Sequence, residues 1–236
     1  MKIYKTEDCL VALDEQDNYF VKYEDNFYKM NKEQYDDCFG RKSLIFCKEI
    51  KDSPIVCFFM ITIIILTMTF YFTNERYVLV DSNIVLANLI LILNIFIHEI
   101  GHVIMLKIFL PESTIKAGFK FVFIYPAFYV DTSNTYFLPK YKRIAVYLAG
   151  NFFNCLFLII CSLFITNLTE CNYLIVSTVL INFLPIIKSD GYYAFMSLIN
   201  RYNFNKSKAK NYIEDTVRGI IMFTFLYILS YINIHL

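Results

Sequence analysis

The run 84–108 is apolar and long enough to cross a bilayer, yet past its midpoint it carries His98-Glu99-Ile100-Gly101-His102. A helix needs about 20 apolar residues to span the hydrocarbon layer. One carboxylate at that depth costs on the order of 3 kcal/mol, and two imidazoles add to the cost. The triplet is therefore either a polar cluster that hydrogen-bonds neighbouring helices or a chemical site. Helix-joining polar residues are usually a single Asn, Ser or Thr, and the run already has Asn88 and Asn94. Positions i and i+4 of a helix face the same way, so both imidazoles can reach one metal ion. Glu99, one step round from His98, can then reach a water on that ion and serve as general base. Two of the chain's three histidines lie in this one segment.

Five spans are predicted, at 55–72, 84–108, 144–166, 173–199 (interrupted at Pro185) and 217–236. Hydrophobic residues make up 57% of the 236, and a mean hydropathy of +0.47 is too high for a soluble domain of this size. The expected fold is an all-α polytopic membrane protein of about five transmembrane helices. The stretch 119–130 is apolar too but short of a span. With Gly118 before it and Pro126 inside it, it reads as a small membrane-associated β-hairpin.

Residues 1–53 are charged, Tyr-rich and without an apolar run, which divides the chain into a small soluble α+β head (1–53) and a membrane-embedded body (54–236). In the head, aromatic and β-branched residues flank Glu24-Asp25-Asn26 as a hairpin would require, and Asn31 is placed to cap a helix. The head is either a plain cytoplasmic cap or a peptide-binding module that presents a strand edge. Residues 1–20 have no basic-then-apolar leader, so no cleaved signal is predicted. The seven cysteines include no C-x-x-C pair, which argues against a disulfide framework and for a reducing compartment around the head. A net charge of +1 gives no support for nucleic-acid binding.

Lysine and arginine orient the body. Residues 1–54 carry nine, 107–143 six and 188–218 six, leaving only Arg76 of the 22 on the other side. A multi-pass protein of the cell membrane is predicted, with its N-terminus cytoplasmic and its C-terminus outside.

Catalytic zinc usually takes three protein ligands and keeps a fourth position for water. Asp190 is the acidic residue of the fourth span; it is either the third ligand or the partner of Lys188 at the membrane surface. Depth favours the ligand. At 1.5 Å per residue, His98 and His102 lie roughly 9–15 Å from the inner end of their span, and Asp190 roughly 14 Å from that of its own. Asn151 and Asn154 come to a similar level on the intervening span. Each can donate to a developing oxyanion or join helices.

Three separated segments then carry a resemblance. They are Ile95-Phe96-Ile97-His98-Glu99-Ile100-Gly101-His102, Ala149-Gly150-Asn151-Phe152-Phe153-Asn154, and Asn182-Phe183-Leu184-Pro185-Ile186-Ile187-Lys188-Ser189-Asp190-Gly191. In this order they resemble the site-2 protease family of intramembrane zinc metalloproteases, over about residues 84–200. The resemblance implies one Zn2+ per chain held by His98, His102 and Asp190, Glu99 as base, Asn154 lining the site, and a hairpin at 119–130 whose edge meets an unwound substrate. The departures are Asn151 where the family has Pro and Tyr192 where a second Gly is frequent; they bear on substrate fit more than on chemistry. Phe128-Tyr129-Val130-Asp131-Thr132-Ser133 and Asp190-Gly191-Tyr192-Tyr193 resemble the peptide zinc metalloprotease subgroup of low-GC Gram-positive bacteria.

Members of that subgroup accompany ribosomally made, modified peptides. The implied function is endopeptidase cleavage of a small membrane-associated precursor peptide. The implied partners are that peptide, the bilayer, and a peptide-modifying enzyme and an exporter of the same pathway. Two other functions compete: regulated intramembrane proteolysis of a membrane-bound signalling protein, and a non-proteolytic immunity or export accessory. The last has no use for Glu99.

Overall fold

The computed structural model describes residues 1–6, 9–14, 17–23, 26–39, 44–74, 84–122, 125–164, 169–183 and 189–199. The first fifty residues build a five-stranded antiparallel sheet from β1 (Lys2–Lys5), β2 (Cys9–Leu13), β3 (Tyr19–Tyr23), β4 (Asn26–Met30) and β5 (Ile45–Glu49). Its order is β4-β3-β2-β1-β5, so a meander of hairpins is closed by β5 returning to the outer side of β1. Side chains alternate across a strand, and here both faces are covered. Cys9, Val11 and Val21 pack under α1 (Lys32–Phe39) with Tyr35 and Phe39. Ile3, Ala12 and Phe20 point the other way, into one cluster with Leu106, Leu110, Phe137 and Leu138 of the body. Helix α1 opens on a capping box: Gln34 N–H donates to Asn31 Oδ1 (2.8 Å) and Asn31 N–H to Gln34 Oε1 (3.1 Å).

Polar contacts fix the head in place. Lys22 donates to Asn134 Oδ1 (2.8 Å), and Lys48 to the Phe109 carbonyl (3.3 Å) and Glu112 (2.8 Å). Partial burial opposes ionisation of Glu112, but the Lys48 hydrogen bond, a backbone N–H and the nearby charges of Lys48 and Lys107 together outweigh it and hold the carboxyl below its usual pKa.

The body comprises α2 (Ile55–Asn74), α3 (Ile84–Phe109), the strands β6 (Ala117–Val122) and β7 (Tyr125–Val130), a 3-10 turn (Ser133–Phe137), α4 (Lys140–Phe164), α5 (Thr169–Phe183) and α6 (Asp190–Leu198). Segments Ile55–Thr73, Asn88–Phe109 and Lys140–Leu163 are long and apolar enough to cross a membrane, marking a membrane protein. Of these windows α4 is 67% buried, against 33% for α2 and 39% for α3, which makes it the central helix. It touches α2, α3, α5 and α6. Phe58, Leu66, Ile92 and Ile100 face outward, as lipid-facing side chains do. Asn94 joins α3 to α5 through Thr178 (3.3 Å), the helix-joining role a lone Asn is suited to.

The all-α, five-span expectation is overturned. Among the described residues there are six helices, three of them membrane-length, together with the five-stranded sheet, and the fold is α+β. The apolar run 173–199 had the composition of one span, but extended Ser189 separates α6, 9 residues, from α5, which has 15 among the described residues, each short of a span. Pro185 lies between them in sequence; a proline lacks the N–H and crowds the preceding turn, so one continuous helix is disfavoured there. The span read at 217–236 lies outside the described residues.

Candidate metal centre

Helix α3 puts His98 and His102 on one face, with ring centroids 4.9 Å apart. Their Nε2 atoms stand 3.3 Å from each other. Asp190, first residue of α6 after the N-cap Ser189, brings Oδ2 to 2.8 Å from His98 Nε2 and 3.2 Å from His102 Nε2. A carboxylate in a first helical turn also meets the positive end of the helix dipole. Both histidines are buried.

Helix α4 orients the rings. The Val146 carbonyl stands 2.8 Å from His102 Nδ1. A carbonyl only accepts, so Nδ1 carries the proton and Nε2 turns a lone pair to the cluster. Asn154 holds the His98 ring, its Nδ2 3.1 Å from Nδ1. With Nδ2 against the ring, Asn154 Oδ1 is a buried acceptor without a partner among the described residues. Rotating the carboxamide by 180° exchanges its two ends and sets Oδ1 against a protonated Nδ1, freeing Nε2 as well.

These residues fit a metal ion. Two imidazole lone pairs and a carboxylate oxygen, 2.8 to 3.3 Å apart, repel one another unless a cation or a proton lies among them. Tetrahedral zinc with bonds of about 2.0–2.1 Å separates its ligand atoms by about 3.3 Å, close to the triangle observed. His98, His102 and Asp190 can therefore hold a metal, each offering one ligand atom within 4.8 Å of the others.

Gly150 makes room for this arrangement. A Cβ there would lie 2.3 Å from His98 Cε1 and 2.4 Å from Nε2, inside contact distance of the ring. Gly150→Ala is expected to displace the imidazole and weaken zinc binding roughly 10–100-fold, the range seen when the support of a ligand is lost. Competition against a chromophoric chelator measures this; unchanged affinity would contradict the close approach.

The remaining predicted residues fall in different places. Glu99 Oε2 accepts the Val130 backbone N–H at 2.8 Å, beside the cluster but not part of it. Asn151 is fully buried on α4 and bonds to neither histidine; both its amide atoms lack a hydrogen-bond partner among the described residues. Asp131 is turned away, its Oδ1 accepting from Ser133 N–H at 2.9 Å and from the Ser133 hydroxyl. Lys188 lies outside the described residues. Sequence reasoning missed the Val146 carbonyl and the Val130 amide, since backbone groups leave no residue-type signal, and Gly150, which stood in a quoted segment without a role.

No family model matches the chain, and no solved structure matches it. It is similar to a protein of Bacillus subtilis (strain 168) named "Putative peptide zinc metalloprotease protein YydH", 29% identical over 241 residues, covering 93% of this chain and 93% of that protein.

Proposed function

We propose that this chain is a zinc-dependent endopeptidase of the site-2 protease type, cutting a small membrane-associated precursor peptide, ribosomally made and modified, within or beside the membrane. The observation that carries the reading is the meeting of His98, His102 and Asp190 on three mutually close ligand atoms, with Glu99 beside them. The name of the Bacillus subtilis relative supports it from a separate direction.

Bound zinc would supply Lewis acidity and make water a nucleophile at neutral pH. The chain's own residues do the rest. His98, His102 and Asp190 hold the ion, with the two rings fixed by Asn154 and Val146. Glu99 takes a proton from the attacking water and passes it to the leaving amine. Its Oε2 is engaged by Val130, which leaves Oε1 for that transfer. The apolar walls of α2, α3 and α4 limit water to what the polar site admits.

In this reading the head is cytoplasmic and binds peptide along β4, whose outer edge has no neighbouring strand among the described residues. Asn154 or Asn151 would donate to the oxyanion, and a modifying enzyme and an exporter would act before and after the cut.

The test is incubation of the protein, purified in mild detergent, with precursor peptides encoded by neighbouring genes. Mass spectrometry should find defined products that vanish with a zinc chelator and return with added zinc. Products indifferent to the chelator, or no product from any of these peptides, would contradict the reading.

A further inference from the structure

The carboxylate of Glu99 is held by a backbone group, the Val130 N–H. The pairing of β6 with β7 explains why that amide is available. Val130 faces Ala117, and the next residue, Asp131, turns its N–H inward to the Lys116 carbonyl at 2.7 Å. Successive amides along a strand point to opposite sides, so the Val130 N–H points off the ladder. Pro126 stands four residues earlier on the same outward side, where a missing N–H costs no ladder bond.

The end of the hairpin is also tied down. Asn134, 3% exposed, donates through Nδ2 to the Thr114 carbonyl at 2.7 Å just before β6, and accepts Lys22 of the head at 2.8 Å. Phe128 packs on Phe96 of α3, ring centroids 4.5 Å apart, one helical turn before Glu99. So the hairpin is clamped at its root and against the helix that carries the carboxylate.

We propose that the Val130 backbone amide is a positioning group for Glu99: it fixes Oε2 and so orients Oε1 for proton transfer. The inference rests on Glu99 being the general base. A glutamate has three side-chain torsions, and one bond from a rigid strand removes much of their freedom where geometry governs rate. The hydrogen bond acts on turnover rather than on peptide binding, so kcat should respond and KM should not.

Two measurements on the full-length protein test it. Val130→Pro deletes the amide hydrogen at a position whose N–H lies off the ladder, and Val130→Ala sets the cost of losing the side chain alone. With the precursor peptide that the unaltered chain cuts as probe, Val130→Pro should show kcat roughly tenfold or more below Val130→Ala, as expected for loss of a hydrogen bond to a charged group, with KM and bound zinc unchanged. Should Val130→Pro lose its zinc, replacing the same amide by an ester removes only the N–H and should give the same fall. Independently of activity, hydrogen exchange at the Val130 amide should speed up roughly tenfold or more in Glu99→Ala and stay slow in Glu99→Gln, whose carbonyl still accepts. Equal kcat for the ester and the unaltered chain, or equal exchange in Glu99→Ala and the unaltered chain, overturns the inference alone. An unaltered chain that cuts no peptide removes the underlying reading, while the exchange result still reports on the contact itself.

Discussion

Glu99→Gln is expected to lower turnover by at least ~10²-fold while leaving the fold and the bound zinc intact, the loss typical of a removed general base. The substitution keeps the shape of the side chain but replaces a proton acceptor with a carboxamide that cannot take a proton at neutral pH. Its carbonyl oxygen can still accept the Val130 N–H that Glu99 Oε2 accepts now, so the hairpin contact survives. Nor does it touch His98, His102 or Asp190, which meet one another without it. Single-turnover cleavage of the precursor peptide, with zinc measured on the same sample, separates the two properties. A normal rate with normal zinc would take the base role from Glu99 and leave the metal site standing. The expected loss exceeds that for Val130→Pro because one removes the proton acceptor and the other only its orientation.

How far these features could be read in advance depends on sequence separation. The pairing of His98 with His102 is a local matter of helical periodicity, four residues on one face, and was legible from the spacing alone. Asp190 is 92 residues from His98; it was reachable only through depth along separate spans and through the resemblance. Nothing in the residue types of Val146 or Val130 marks their backbone groups as partners, because every residue other than proline carries the same ones. In the head, the turn at Glu24-Asp25-Asn26 and the Asn31 cap are local signals, and β3, β4 and α1 flank them. The return of β5 to β1, with Lys2 opposite Glu49, is a long-range pairing that no local pattern announces. The five-span expectation failed because hydropathy sums over a window and does not register a break: the run that contains Asp190 gives a short helix on either side of Pro185. That same break gives Asp190 its place at the start of α6, so the feature that defeats the count of spans also presents the third ligand.

Asp190→Ala is expected to abolish cleavage and to strip most of the zinc, whereas Lys188→Ala should do neither. The aspartate contributes the only carboxylate oxygen in the cluster of ligand atoms found among the described residues. Without it two imidazoles remain, one short of the usual three protein ligands. Loss of affinity should exceed the roughly 10–100-fold that follows removal of an outer-shell partner. Neighbouring acids are not placed to substitute: Glu99 is turned to Val130, and Asp131 Oδ1 is taken by Ser133. The central claim, that His98, His102 and Asp190 hold the catalytic metal, is tested most directly by elemental analysis of zinc in Asp190→Ala purified in mild detergent. The expected result is one zinc per chain in the unaltered protein and in Lys188→Ala, and little or none in Asp190→Ala. Full zinc occupancy in Asp190→Ala, with the metal lost instead from Asp131→Ala, would contradict the account and move the third ligand to the end of the hairpin.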